Sequence, residues 1–201
     1  MREDARVFQD PASPLHRWSE FYIIIGTAAA SLTGLMFVVI TLVAGVRRTV
    51  ARQGIATFST PTVVQFSFAL GIAAVLAAPW PTLSCVAGLL AVASLGALAY
   101  ATAIFMQTGR RTAQDYEPDL EDRLFYSWLP LVAYVALLAS AVLLPFRTHT
   151  ALFVLAGTTM ALIFIGIHNA WDVITFVTRL QMPGESDDDG TNAVSAESSG
   201  T

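Results

Sequence analysis

The amino-acid sequence predicts an all-α fold, a polytopic membrane helix bundle with five transmembrane helices. Of the 201 residues, 55% are apolar and 13% are charged, and the mean hydropathy is +0.60. A typical soluble domain is about one-quarter charged. Five long stretches carry no aspartate, glutamate, lysine or arginine, and none of them alternates between apolar and polar residues as a barrel strand would.

The charge-free stretches cover residues 21–46, 59–78, 82–106, 124–146 and 150–171. A hydrocarbon core about 30 Å thick needs roughly 20 apolar residues of helix, and in lipid the backbone must satisfy its own hydrogen bonds. Each stretch is therefore expected to be one membrane-spanning helix of a domain formed by residues 14–182. An N-terminal arm (1–13) precedes this domain, and an acidic tail (183–201), predicted to be disordered, follows it.

Prolines mark the expected boundaries of several helices. Ser13-Pro14 and Thr60-Pro61 each place a capping residue before a proline, which predicts that a helix begins there. Pro79-Trp80-Pro81 predicts a tight turn that joins spans two and three as a hairpin. Pro130 is expected to kink span four, because proline removes a backbone donor.

Arginine carries all the basic charge, since the chain contains no lysine. If the N-terminus lies outside, most of the arginines fall on the cytoplasmic side, as the positive-inside rule requires. These are Arg47, Arg48, Arg52, Arg110, Arg111, Arg123 and Arg179. The sequence therefore predicts a multi-pass protein of the bacterial inner membrane, with its N-terminus outside and its C-terminus in the cytoplasm.

Composition also excludes several classes of protein. The net charge of −4 comes from the acidic tail, and no basic face is present that would bind nucleic acid. The single cysteine, Cys85, excludes an intramolecular disulfide or a paired-cysteine motif. The three histidines lie far apart in a chain without a zinc-protease motif. We therefore predict no catalytic residues, metal or cofactor, and these absences favour a non-enzymatic protein over an enzyme.

Span one carries small and polar residues along one helical stripe. Gly26, Ala30 and Gly34 form a small-xxx-small ladder, which lets helices approach closely in lipid. Thr33 and Thr41 fall on the same stripe. The ladder predicts either ordinary helix packing or a subunit interface, and the threonines are candidates for the wall of a polar path.

Span five contains the only acidic residue within a membrane-length apolar run. Asp172 lies one turn after His168, so the two side chains can reach each other. Ionisable groups inside a membrane are costly and indicate function by default. Two interpretations remain open: a cation-attracting, pH-sensing pair at the inner mouth of a path, or a structural ion pair. The candidate structural partners of Asp172 are Arg47, Arg48 and Arg179.

Two segments resemble a group of uncharacterised bacterial five-span inner-membrane proteins of unknown function. The first is Phe21–Ile40, where an aromatic start leads through a Gly/Ala-rich stretch to a Leu-x-Phe-Val run. The second is Gly166–Asp172, whose Gly-Ile-x-Asn-Ala-Trp-Asp pattern is similar to the end of their last span. The resemblance implies that Asn169, Trp171 and Asp172 matter beyond anchoring the helix.

Together these features lead to three hypotheses about function. The first is a homo-oligomer that forms a channel-like path for a small ion or solute, with His168, Asn169, Asp172, Thr33 and Thr41 as the functional polar residues. The alternative is a non-catalytic scaffold or modulator that binds another membrane protein through residues 107–123 or the tail. A second alternative is a lipid-handling enzyme with an unrecognised site. The lipid bilayer is a partner in each case.

Overall fold

A computed structural model describes the backbone of residues 14–46, 51–111 and 124–181, and the side chains of residues 14–41, 61–106 and 124–175. Within these ranges the chain folds into α1 (Pro14–Val46), α2 (Ala51–Ala77), α3 (Leu83–Arg111), α4 (Leu129–Leu143) and α5 (Thr148–Gln181). A π-helical turn, Leu124–Trp128, leads into α4. No strand occurs in these ranges, so the all-helical prediction is confirmed for them. The predicted arm and acidic tail lie outside the described residues.

Four helical segments of the described chain are long and apolar enough to cross a membrane: Pro14–Thr41, Leu83–Met106, Leu124–Leu143 and Thr148–Thr175. Pro61–Ala77 is a fifth, shorter apolar helix. These segments coincide with the five predicted stretches, and the helix count therefore agrees with the prediction. The second stretch meets the composition expected of a span but is the shortest of the five.

Pro14 and Pro61, the two prolines predicted to begin helices, have different positions in their helices. Helix α1 begins at Pro14, as predicted. Helix α2 begins at Ala51 and contains Pro61 in its interior, so the prediction that this helix starts at Pro61 is wrong. A proline inside a helix leaves a carbonyl group without its donor, but helices in apolar surroundings tolerate this when neighbouring groups compensate. A cap-like dipeptide is therefore a weaker boundary signal in an apolar helix than in a water-exposed one.

Helix α5 is the central element of the bundle. In its most apolar window 56% of the residues are buried inside the protein, compared with 17% for α1 and for α3. It packs against α2 and α4 and contacts α1, while α1 packs mainly on α2 and α3 mainly on α4. Consecutive helices run in opposite directions. We call the end where α1, α3 and α5 finish the arginine-rich end, and the opposite end the turn end.

Helices α2 and α3 are consecutive but contact each other little. The turn between them is closed by the Trp80 indole, whose Nε1 donates a hydrogen bond to the Val75 carbonyl oxygen at 2.6 Å. The predicted hairpin is therefore a short connection rather than a packed helix pair. Small residues explain where α2 packs instead: a Cβ built on Gly26 of α1 would lie 3.0 Å from the Ala73 Cβ, and Gly166 of α5 touches the Phe66 ring.

Candidate functional site

Polar side chains from three elements meet at the arginine-rich end of the bundle. Helix α5 supplies His168, Asn169 and Asp172, helix α2 supplies Gln65, and the π-helical turn before α4 supplies Tyr126. We call these five residues the polar cluster. They come together because α2 and α4 both begin at the end where α5 finishes, so residues far apart in sequence share one level of the bundle.

His168 and Asp172 form the partly exposed side of the polar cluster. The distance from His168 Nε2 to Asp172 Oδ2 is 3.5 Å, and the two side chains are 27% and 36% exposed. The Phe125 ring stacks on the imidazole, with ring centroids 3.6 Å apart and planes 24° from parallel. This stacking fixes the imidazole plane, so that its Nε2 is directed at the carboxylate one turn later.

Asn169 forms the buried side of the polar cluster. Its side chain has no exposed surface, and its Nδ2 donates to Gln65 Oε1 at 3.3 Å, where Gln65 is itself 3% exposed. The Tyr126 hydroxyl donates to the Asn169 backbone carbonyl at 3.3 Å. Asn169 thus connects α5 to α2 through its side chain and to the π-helical turn through its backbone.

The remaining side-chain oxygen of Asn169 has no hydrogen-bond partner. Its Oδ1 is buried and unpaired among the described residues. An acceptor left unpaired in the interior costs about 1–3 kcal/mol, and such groups are rare enough to need an explanation. An amide oxygen in this position can accept a hydrogen bond from a solute or can coordinate a cation, because it offers a free lone pair and no charge of its own.

The partly exposed carboxylate of Asp172 can attract a small cation but does not form a chelating site with its neighbours. The described residues contain no group of three or more histidine, cysteine, aspartate or glutamate side chains able to hold a metal ion. Hard, weakly held cations prefer oxygen ligands. Asp172 can therefore attract a small cation without trapping it.

The predicted small-residue ladder of α1 is divided between two surfaces. Gly26 is buried against Ala73 of α2, whereas Ala30 and Gly34 are exposed, and a Cβ on Gly34 would meet nothing within 4 Å. The buried face of α1 carries Tyr22, Ala29 and Met36 together with Gly26. The ladder therefore lies only partly on the face that packs in the bundle.

The two threonines of α1 satisfy their hydroxyl groups locally. Thr33 Oγ1 donates to the Ala29 carbonyl oxygen and Thr41 Oγ1 to the Val38 carbonyl oxygen, both at 2.8 Å. Thr33 is half-buried and Thr41 is exposed. In the described part of the chain no hydrogen bond joins them to the polar cluster, so the structure does not bring these predicted residues together with His168 and Asp172.

Three buried hydroxyl groups in the interior of the bundle are also satisfied within their own helices. Ser94 donates to the Leu90 carbonyl, Ser140 to the Ala136 carbonyl and Thr159 to the Leu155 carbonyl. Ser140 therefore does not need a neighbouring helix to satisfy its hydroxyl, because its own helix offers a carbonyl oxygen 2.7 Å away. These three side chains do not form a polar track through the interior of one chain.

Several sequence predictions fall outside the described side chains. The candidate ion-pair partners of Asp172, namely Arg47, Arg48 and Arg179, are among them. So are the loop 107–123 and the acidic tail, on which the scaffold hypothesis depends. The structure therefore describes one partner of Asp172, which is His168.

Sequence reasoning gave no functional role to Tyr126 and none to Phe125. Both lie in an apolar, aromatic stretch that resembles an ordinary interfacial belt. Their role depends on the π-helical turn, which rotates successive side chains differently from an α-helix.

No family model, curated protein or solved structure matches this chain.

Proposed function

We propose that this chain is an integral protein of the bacterial inner membrane with five spans, its N-terminus outside and its C-terminus in the cytoplasm. The four long apolar helices and the shorter fifth support insertion into a bilayer. The excess of arginine in the connections at one end supports the orientation. The resemblance of Phe21–Ile40 and Gly166–Asp172 to bacterial five-span inner-membrane proteins agrees with insertion into the bilayer.

The single native cysteine gives a direct test of this orientation. Cys85 is exposed in the first turn of α3, beside the turn between α2 and α3. A membrane-impermeant maleimide is expected to label the wild-type protein in intact spheroplasts. In a Cys85→Ser/Thr112→Cys variant, labelling is expected only after the membrane is permeabilised. The opposite pattern would show that the orientation is reversed, and labelling of both proteins without permeabilisation would contradict the topology.

We propose further that the protein provides a channel-like path for a small cation, with the polar cluster at its cytoplasmic mouth. One observation carries this proposal: the buried Oδ1 of Asn169 has no partner among the described residues, and Asn169 shares a turn of α5 with the partly exposed Asp172–His168 pair. Asp172 concentrates cations at the mouth, and Asn169 Oδ1 replaces a water oxygen as an ion loses part of its hydration.

A homo-oligomer is part of this proposal. Ser94, Ser140 and Thr159 turn their hydroxyls to their own helices, which favours a path between subunits over one through a single chain. Helix α1 leaves Ala30, Gly34 and Thr41 exposed. A surface of this kind allows close helix contact in lipid, and we assign it to the contact between subunits.

Cation flux through purified protein in liposomes tests the proposed path. Potassium uptake is expected to exceed that of empty vesicles and to fall on the order of tenfold in Asp172→Asn, because the focused negative potential at the mouth is lost. Glu20→Gln is the matched control, since it removes an exposed carboxylate at the turn end and is expected to leave the flux within about twofold, as its charge lies beyond a Debye length from the mouth. Flux equal to that of empty vesicles, or an equal loss in both variants, would contradict the proposal.

A further inference from the structure

A cleft of about 350 Å³ opens at the turn end of the bundle, opposite the polar cluster. One wall is the first two turns of α1, with Pro14, Arg17, Trp18 and Phe21 on one face at helical spacing. The other wall is the first turns of α5, with His149 and Phe153. The cleft lies where these two helices begin side by side, and the Tyr22 hydroxyl joins them by donating to the Leu152 carbonyl oxygen at 3.4 Å.

The upper rim of the cleft is basic. Arg17 and His149 line it and are both exposed, and no acidic residue is among its lining residues. Neither side chain forms an ion pair with another residue in the described part of the chain. The guanidinium offers five donors in a planar fork, and the imidazole offers at least one N–H. This rim therefore presents hydrogen-bond donors from two helices to an anion.

Aromatic side chains form the floor of the cleft, and an apolar group of a ligand can reach them. Trp18 contacts Phe153 edge to face with centroids 4.8 Å apart, and Phe21 edge to face at 5.5 Å. Phe153 lies in the apolar helix α5, and 67% of its surface is exposed. Tryptophan is typical of the headgroup level of a bilayer. At that level, hydrogen-bond donors next to aromatic side chains are complementary to a lipid, whose phosphate would meet the donors and whose hydrocarbon chain would meet the rings.

We propose that this cleft binds one anionic phospholipid of the outer leaflet. Arg17 and His149 hold the phosphate by charge-assisted hydrogen bonds, and the first methylene groups of an acyl chain lie on Trp18 and Phe153. The cationic rim disfavours a quaternary ammonium ligand, although aromatic floors can hold one. The proposal depends on the membrane topology proposed above and not on the cation path.

Native mass spectrometry of the detergent-purified full chain tests the site with phosphatidylglycerol as the probe. The Arg17→Gln/His149→Gln variant is expected to bind it about tenfold more weakly, which is the loss typical of removing charge-assisted hydrogen bonds. Arg147→Gln is the matched control, because it removes an exposed arginine next to the cleft that does not line it. Its affinity is expected to stay at the wild-type value. Each single variant provides the same comparison if the double variant melts below the wild-type temperature.

Three outcomes would overturn the assignment. An equal loss in Arg147→Gln would show attraction by overall charge rather than a site. Displacement of the lipid by glycerol phosphate at a similar concentration would show a site for a free phosphate compound. Equal binding of phosphatidylcholine would show that the cleft does not distinguish lipids by the charge of their headgroup. None of these outcomes affects the potassium flux experiment, so failure of the lipid site is distinguishable from failure of the proposed path.

Discussion

Gly166→Ala is expected to destabilise the protein by about 2–3 kcal/mol, within the range seen when a close-packed interior is overfilled. A Cβ at this position would lie 2.5 Å from Phe66 Cε1 and 2.9 Å from two other ring atoms. The Phe66 side chain is 1% exposed, and its rigid ring has no free space into which to move. Helices α2 and α5 must therefore separate, and this weakens the contact that also holds Gln65 against Asn169.

A second glycine in the same helix provides the control for this prediction. Gly157 is exposed, and a Cβ there would meet nothing within 4 Å. Gly157→Ala is expected to leave stability unchanged or raise it by up to about 1 kcal/mol, since alanine is the better helix former. Thermal melting in detergent measures both variants. Adding Phe66→Leu to Gly166→Ala is expected to recover part of the loss, and equal melting temperatures for the two alanine variants would contradict the close contact.

Gln65→Leu is expected to cost about 2 kcal/mol of stability, because it leaves both polar atoms of the Asn169 amide buried without partners. In the wild-type protein Gln65 Oε1 accepts the only hydrogen bond that Asn169 Nδ2 makes to a described residue. Asn169→Leu added to Gln65→Leu is expected to restore most of the stability, since two apolar side chains of similar shape leave no unpaired group. The comparison is a double-mutant cycle followed by thermal melting.

The same double variant separates stability from function. Gln65→Leu/Asn169→Leu is expected to fold but to lose potassium flux, because the amide oxygen proposed to replace a water oxygen is gone. A double variant as unstable as Gln65→Leu alone would mean that the amide pair does not hold α2 and α5 together. Wild-type flux in a stable double variant would remove Asn169 from the proposed path.

The five helices could be predicted because a membrane-length apolar run imposes one backbone structure. The segment 150–171, for example, lies within α5, and residues 83–106 of the third segment lie within α3. The start of α1 at Pro14 was also predictable, since proline is favoured in the first turn of a helix. These features depend on local sequence and on the thickness of a bilayer.

Features that depend on which helices touch could not be predicted from one sequence. Glycine and alanine occur on most of the spans. Which face of a helix packs depends on the neighbouring helix that it meets. Gly26 meets Ala73, while Gly34 of the same ladder meets nothing. The contact of Gly166 with Phe66 joins helices far apart in the chain, and no periodicity in either segment indicates it. For the same reason the sequence could not show that α2 packs on α5 rather than on α3.

The candidate site was partly predictable. His168 and Asp172 were identifiable because charge is rare in such a run, and the structure places them 3.5 Å apart. Gln65 was identifiable as a polar residue in an apolar span, but its partner Asn169 was not assigned to it. Tyr126 reaches the Asn169 carbonyl from a π-helical turn, and the sequence around Pro130 predicts a disturbed helix without predicting that geometry.

The reversal potential across a planar bilayer under a potassium chloride gradient shows whether Asp172 stands at the mouth of a cation path. If Asp172 stands at the mouth of a cation path, the wild-type protein is expected to give a potential of the sign set by potassium. Asp172→Lys is expected to reduce this potential towards zero or change its sign. A potential that is the same in both proteins, or a wild-type current that prefers chloride, would contradict the account.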